Sequence, residues 1–183
     1  MSFDLQPTLK GRIVSLRPMR FDDFDAVYEA AADPLIWEQH PEPLRYRREV
    51  FQKFLDGAME SGGAFVVIDL ESSKIVGSSR FYNYSAERQE VAIGYTFLAR
   101  EYWGRGYNHE MKTLMIEHAF RFVERVFFEV GVNNHRSQKA LQNIGAILCG
   151  TGNLAGLDGT LIPHLVFEIT RGEEMPNATS RRS

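Results

Sequence analysis

Most features that would narrow a function at a glance are scarce or missing from this sequence. It has a single cysteine, Cys149, so it can form neither an internal disulfide nor a zinc or iron–sulfur site built on several cysteines. No apolar run approaches the ~20 residues needed to span a bilayer. The opening MSFDLQPTLKGR lacks the basic-then-apolar order of a signal peptide. An excess of one charge is missing too: 21 Lys+Arg against 24 Asp+Glu leave a net charge of −3, which argues against a general nucleic-acid binder. Repeats, low-complexity linkers and long charge blocks are absent, and the five histidines (40, 109, 118, 135, 164) show no metal-ligand spacing. What remains is the composition of an ordinary globular chain, 44% hydrophobic and 25% charged over 183 residues. A domain of that length hides about 70% of its unfolded surface. The expectation is one soluble, cytoplasmic domain over residues 1–172 with a flexible polar tail at 173–183. No metal, membrane or nucleic-acid partner is expected.

Hydrophobic periodicity orders the chain. Gly11–Arg17 alternates as a strand that Pro18 ends. Phe24, Val27, Tyr28 and Ala31 share one helical face before Asp33-Pro34, and a second helix from about Arg47 buries Phe51, Phe54 and Leu55 and closes at Gly62-Gly63. Strands follow at 64–70, 74–83 and about 88–97. The longest helix spans Tyr107–Glu124, with Met111, Met115, His118 and Ala119 on one stripe. Val126–Val132 is a strand, Ser137–Ile144 a short helix, and 146–150 and 161–170 the last two strands, joined by a loop with glycines 150, 152, 156 and 159 and a turn at Asp158-Gly159. The class is therefore α/β of the α+β type: a mixed, mostly antiparallel central sheet of about seven strands flanked by four helices. Cys149, in an Ile-Leu-Cys run, reads as buried packing.

Two segments carry chemistry. Ala99-Arg100-Glu101-Tyr102-Trp103-Gly104-Arg105-Gly106-Tyr107-Asn108 lies between a strand and the longest helix. Two glycines two apart let the backbone bend tightly and aim successive N–H groups outward, and the helix start adds unpaired amides and about half a positive charge. Arg105 and Arg100 add full charges, so the turn suits a phosphate. It is neither a Walker loop nor a dinucleotide fingerprint, because no Gly-Lys-Ser/Thr and no third glycine follow. Thirty residues on, Asn133-Asn134-His135-Arg136-Ser137-Gln138-Lys139-Ala140-Leu141 runs to Ile144-Gly145-Ala146, with Asn133 or Asn134 as a helix cap.

Together, Y-W-G-R-G between strand and helix and N-x-R-S-x-x-A-L-x-x-I-G-A thirty residues later closely resemble the GNAT superfamily of acyl-CoA-dependent N-acetyltransferases. The tryptophan before G-x-G and Ile93-Gly94-Tyr95 are similar to its Rim-type branch, which includes enzymes acetylating the N-termini of ribosomal proteins. The resemblance runs from about residue 9 to 172. It implies the acyl-CoA N-acyltransferase fold, acetyl-CoA as cosubstrate and a homodimer. It also implies that the loop from Glu101 to Gly106 binds the CoA pyrophosphate through backbone amides, and that Tyr102, Trp103, Gly104, Arg105, Gly106, Tyr107 and Asn108 are cofactor-binding residues. The pantetheine arm would thread the gap beside Phe97, Leu98 and Ala99, with Asn134 and Ser137 toward its thiol end. Glu101, Tyr107, Asn108 and His109 depart from the residues usual in that branch.

The reaction sets its own demands. A lysine amine with pKa about 10.4 is neutral only ~0.04% of the time at pH 7, whereas an α-amine near 8 is about 10% neutral and needs less help from a base. A protein N-terminus is the favoured acceptor. A small amine (polyamine, amino acid or aminoglycoside-like) and a catalytically weak CoA-binding sensor are the alternatives. Many relatives carry a glutamate where this chain has Ala92; Glu90, two residues earlier on the same strand face, is the candidate base. Relatives use a tyrosine as acid in the short helix, where Gln142 and Asn143 stand here, leaving Ser137 as the candidate donor. A backbone N–H near Leu98 would meet the developing oxyanion. The resemblance further implies that the loop between the first two helices helps form the acceptor site, where Trp37, Glu38 and Tyr46 would shape specificity.

Overall fold

The computed structural model describes residues 2–156 and 159–172. Its strands are β1 (Leu9–Lys10), β2 (Val14–Pro18), β3 (Ala64–Asp69), β4 (Ile75–Ser85), β5 (Glu90–Leu98), β6 (Arg125–Gly131), β7 (Ile147–Ala155) and β8 (Leu161–Thr170). The helices are α1 (Phe24–Ala31), α2 (Arg48–Glu60), α3 (Tyr107–Ala119) and α4 (His135–Asn143). The eight strands among the described residues form one sheet in the order β1-β2-β3-β4-β5-β6-β8-β7, antiparallel throughout except where β5 meets β6. The mixed, mostly antiparallel sheet with four helices is as expected, with eight strands instead of seven. The extra strand arises because a turn, closed by Gly11 N–H donating to the Val14 carbonyl at 2.9 Å, folds Leu9–Lys10 back onto β2.

Two buried clusters hold the helices to the sheet. One gathers Leu16, Phe65, Phe81, Ile93 and Phe128 around Met111, Met115 and Ile116 of α3. The other packs Val27 of α1 and Phe51, Phe54 and Leu55 of α2 with Trp37, Val66 and Phe97. Each such side chain, fully buried, contributes about 1.5–3 kcal/mol. The Trp37 indole N–H also donates to the Ala31 carbonyl at 2.8 Å, which fixes the loop after α1. At its start α3 is tied by one side chain to the turn before β2 and to the first residue of β2. The Glu110 carboxylate accepts from the backbone N–H groups of Arg12, Ile13 and Val14 at 2.8, 2.8 and 3.0 Å.

Two boundaries and one burial assignment stand apart from the sequence reading. α3 stops at Ala119, not Glu124, because the next turn tightens into bonds from Arg121 N–H to His118 and from Phe122 N–H to Ala119. Val123 still reaches the core, which is why the apolar stripe looked longer than the helix. β7 continues to Ala155 through Gly150 and Gly152, which face no neighbour that a side chain would displace. These glycines sit in an outermost strand rather than in a loop. Cys149 is exposed on that strand and its Sγ contacts the Val166 carbonyl at 3.4 Å, correcting its assignment to the core. Asp158 and the tail at 173–183 lie outside the described residues.

Candidate active site

The parallel pair β5 and β6 opens the site. Their pairing is confined to Glu90 with Arg125, Val91 with Val126 and Ala92 with Phe127. Beyond Ala92 the strands part. β5 bulges there: Tyr95 takes a left-handed φ of 52°, and its register against β4 shifts between Ser78 and Arg80. Such a conformation in a bulky residue is strained and is held by its surroundings, here the Arg80 guanidinium 4.0 Å from the Tyr95 ring centroid.

The parting leaves a cavity of about 650 Å³ walled by β5, β6, the start of α3, α4 and the loop after α1. At one end stands the glycine turn. Gly104 and Gly106 have φ of 69° and 86°, so both need the freedom of glycine, and a Cβ on Gly104 would meet nothing within 4 Å. Gly106 leads directly into α3, whose first amides have no partner within the helix. The Trp103 indole N–H donates to the Leu98 carbonyl at 2.9 Å, and the Arg136 guanidinium stacks on the Trp103 ring at 4.1 Å. Arg136 also donates to the Ile36 carbonyl at 2.9 Å and to Glu38, so α4, the turn and the loop after α1 lock together.

Across the cleft, the Tyr82 hydroxyl donates to Glu129 Oε2 at 2.8 Å. The bond passes over β5 at Gly94, where a Cβ would sit 2.9 Å from the Tyr82 ring. Burial pushes the Tyr82 hydroxyl well above its ordinary range, and the Glu129 carboxylate adds to the effect. Glu129 is the acidic residue of the cavity wall among the described residues. His40 also lines it, and burial, with Arg45 and His164 nearby, holds its imidazole well below the usual range. Lys112 of α3 is buried in the same wall. Its Nζ lies 2.9 Å from Thr96 Oγ1, and burial pushes the amine down to about 7.

The chain that builds this cleft is similar to known proteins over most of its length. The acetyltransferase (GNAT) domain profile matches residues 14–147. This chain belongs to the GNAT acetyltransferase family. It is similar to the uncharacterized N-acetyltransferase p20 of Bacillus licheniformis, 26% identical over 144 residues that cover 75% of this chain and 80% of p20. Among solved structures it resembles Mycobacterium smegmatis RimJ in complex with CoA-disulfide, with a TM-score of 0.68 and 22% identity over 90% of this chain and 86% of RimJ. It also resembles the ribosomal-protein-S5-alanine acetyltransferase of Vibrio fischeri, with a TM-score of 0.66 and 18% identity over 93% of this chain and 100% of that one. These structures share the GNAT fold.

Most of the residues singled out in the GNAT motifs meet in the cavity wall: Phe97 and Leu98 from β5, Tyr102, Trp103, Gly104 and Gly106 from the turn, and Asn108 from α3. Asn134 and Ser137 line it from α4, and Asn134 also caps that helix, its side-chain oxygen accepting from the Ser137 N–H at 3.2 Å. Three residues are not brought to the wall. Tyr107 is buried and donates to Asp69 at 2.9 Å, Ala99 hydrogen-bonds Val76, and Arg105 is exposed beside the Glu101 carbonyl. Arg100 is committed to an ion pair with Asp33. Glu90 stands outside the cavity, between Arg88 and Arg125. Burial alone would raise its carboxyl, but the two guanidiniums outweigh burial and hold it below the ordinary carboxylate range. That is the wrong direction for a base. Sequence reading missed Lys112 and the Tyr82–Glu129 pair. A lysine one residue past Met111 in an apolar stripe was a usable signal for the first; the pair depends on β4 and β6 flanking β5 and had none.

Proposed function

We propose that this GNAT enzyme transfers the acetyl group of acetyl-CoA directly to a primary amine, and that the favoured acceptor is a protein N-terminus. The observation that carries the reading is the cleft itself, with an anion-binding turn at one end and a carboxylate, Glu129, in its wall. The residues present fit the cosubstrate: Gly104 leaves open space where a pyrophosphate would approach the amides of the turn and of α3. When bound, acetyl-CoA supplies the activated acetyl thioester. The turn from Tyr102 to Asn108 binds the phosphates, with Tyr107 and Ala99 supporting it from behind and Arg105 adding charge at its rim. Phe97 and Leu98 offer the unpaired edge of β5 to the amide-bearing arm, much as an added strand is recognised. Asn134 and Ser137 face its thiol end.

Glu129 and Tyr82 take the part first considered for Glu90. A carboxylate facing the cavity attracts the incoming ammonium and accepts its proton as the amine attacks. An α-amine near pKa 8 makes that proton easy to remove, which favours an N-terminal acceptor over a lysine side chain. The likeness to the S5-alanine enzyme, though confined to the fold, agrees with this choice.

Two measurements test the reading. CoA at about 100 times its Kd stabilises the protein by about 2.7 kcal/mol, read as a rise in Tm, and Gly104→Glu abolishes that rise by placing a carboxylate in the phosphate space. An unchanged Tm at millimolar CoA refutes the cofactor assignment. Thiol release from acetyl-CoA, compared across peptides differing in their first residue and across small amines, then tests the acceptor: indifference to the peptide's first residue refutes the N-terminal assignment.

A further inference from the structure

Lys112 is set apart from the other lysines. Lys10, Lys53, Lys74 and Lys139 are exposed, whereas Lys112 is 5% exposed and lies on the inward side of α3. Its Nζ bonds Thr96 Oγ1 at 2.9 Å, Thr96 Oγ1 lies 2.8 Å from Ser79 Oγ, and the Phe128 ring centroid is 5.1 Å away. β5, β4 and β6 thus surround the amine with two hydroxyls and a ring. Burial alone accounts for the lowered proton affinity, with no neighbouring charge contributing. A buried ammonium left unneutralised is costly, so the neutral amine is the form this site favours. Lys112, Thr96 and Phe128 all line the cavity between β5 and β6.

A neutral amine in the wall of a cavity that takes an acetyl thioester is a nucleophile toward it. With the amine pushed to about 7, about half of the Lys112 population is neutral at pH 7, against ~0.04% for an exposed lysine, a ratio on the order of a thousand. We propose that Lys112 is a self-acetylation site, taking the acetyl group from the thioester in the cleft when no acceptor is present. This rests on the acetyl-CoA reading above. The bond from Nζ to the carbonyl carbon forms, the carbon–sulfur bond breaks, and the proton leaving Nζ ends on the thiol, so no other reactant is needed. The product is a neutral amide on α3 beside Thr96, and a chain so modified keeps its fold while its cleft is partly filled.

The test is peptide mapping of the whole protein after incubation with acetyl-CoA alone, with the CoA melting shift measured in parallel. Trypsin cuts the unmodified chain after Lys112, giving Gly106–Lys112 and Thr113–Arg121; acetylation fuses these into Gly106–Arg121, heavier by one acetyl group. The expected result is that Lys112 is modified at least tenfold faster than any exposed lysine, that excess CoA slows it, and that urea-unfolded chain loses the preference. Lys112→Met removes the modified peptide and keeps the melting shift. If CoA raises Tm but Lys112 stays unmodified, or is modified no faster than the exposed lysines, self-acetylation is overturned and the acetyltransferase reading stands. If CoA leaves Tm unchanged and no lysine is modified, both are overturned.

Discussion

Replacing Lys112 by methionine should make the protein more stable, by an amount that depends on pH. Burial lowers the Lys112 amine from 10.5 to about 7. That is a shift of about 3.5 units, and at 1.36 kcal/mol per unit the folded state carries up to about 5 kcal/mol against the charged form. Losing the bond to Thr96 costs about 1 kcal/mol, and Thr96 keeps Ser79 as a partner. Methionine is flexible and apolar enough to fill the same path. A gain of about 3 kcal/mol at pH 6 is the expected net, with part of the penalty relieved by water in the cleft. The sign follows from proton counting. Below pH about 7 both folded and unfolded chains hold the Lys112 proton and the penalty is full. Between about 7 and 10.4 the unfolded chain holds a proton that the folded chain has lost, so wild-type stability climbs with pH through that window. The difference between variant and wild type should therefore shrink from about 3 kcal/mol at pH 6 toward zero near pH 10. Urea unfolding followed by the fluorescence of Trp37 and Trp103 reads both proteins at each pH, and taking the difference cancels the titration of other groups. A variant less stable at pH 6, or a difference constant between pH 6 and 10, would show that the ammonium is solvated and refute the reasoning.

Glu110→Ala removes the acceptor of three backbone N–H groups, two of them part-buried, and should cost about 3 kcal/mol in urea unfolding; a loss under about 0.5 kcal/mol would mean that β2 does not depend on α3 for its anchoring. Glu90→Gln should leave kcat within about twofold while lowering stability by about 1 kcal/mol. Because the folded Glu90 carboxyl is held below its usual range, that loss should be present at neutral pH and fade as pH falls through the carboxylate range; a hundredfold drop in kcat would instead return Glu90 to the catalytic machinery.

How far the fold could be read in advance depended on whether a signal was local. The glycine turn and the asparagine cap are encoded by adjacent residues, and both stand where the motifs placed them, with Gly104 and Gly106 at positive φ and Asn134 capping α4. Apolar periodicity found α2 and the core of α3 for the same reason. Errors came where the neighbours were distant in sequence. Gly150 and Gly152 look like loop residues until β8 pairs with them, and Cys149 looks like core until β7 proves to be outermost. Glu90 occupies the strand face of Ala92 as expected, but Arg125, thirty-five residues on, claims its carboxylate. Lys112 shows the limit most plainly. Its position in an apolar stripe was visible, but its chemistry depends on Thr96 and Phe128, which arrive from two other strands.

The junction of β5 and β6 has a consequence for how the molecule breathes. β6 joins β8 through seven residue pairs, from Arg125 with Thr170 to Gly131 with His164, but joins β5 through three. Hydrogen bonding thus divides the sheet into two plates, residues 9–98 and 125–170, each stitched internally by long antiparallel ladders. Opening at such a seam breaks few bonds, so it belongs to the low-energy end of local fluctuations and can proceed without melting either plate. A molecule that lies along the seam and bonds to both rims raises the cost of that opening. Its grip then couples two cooperative units into one, so that binding is felt in strands it never touches.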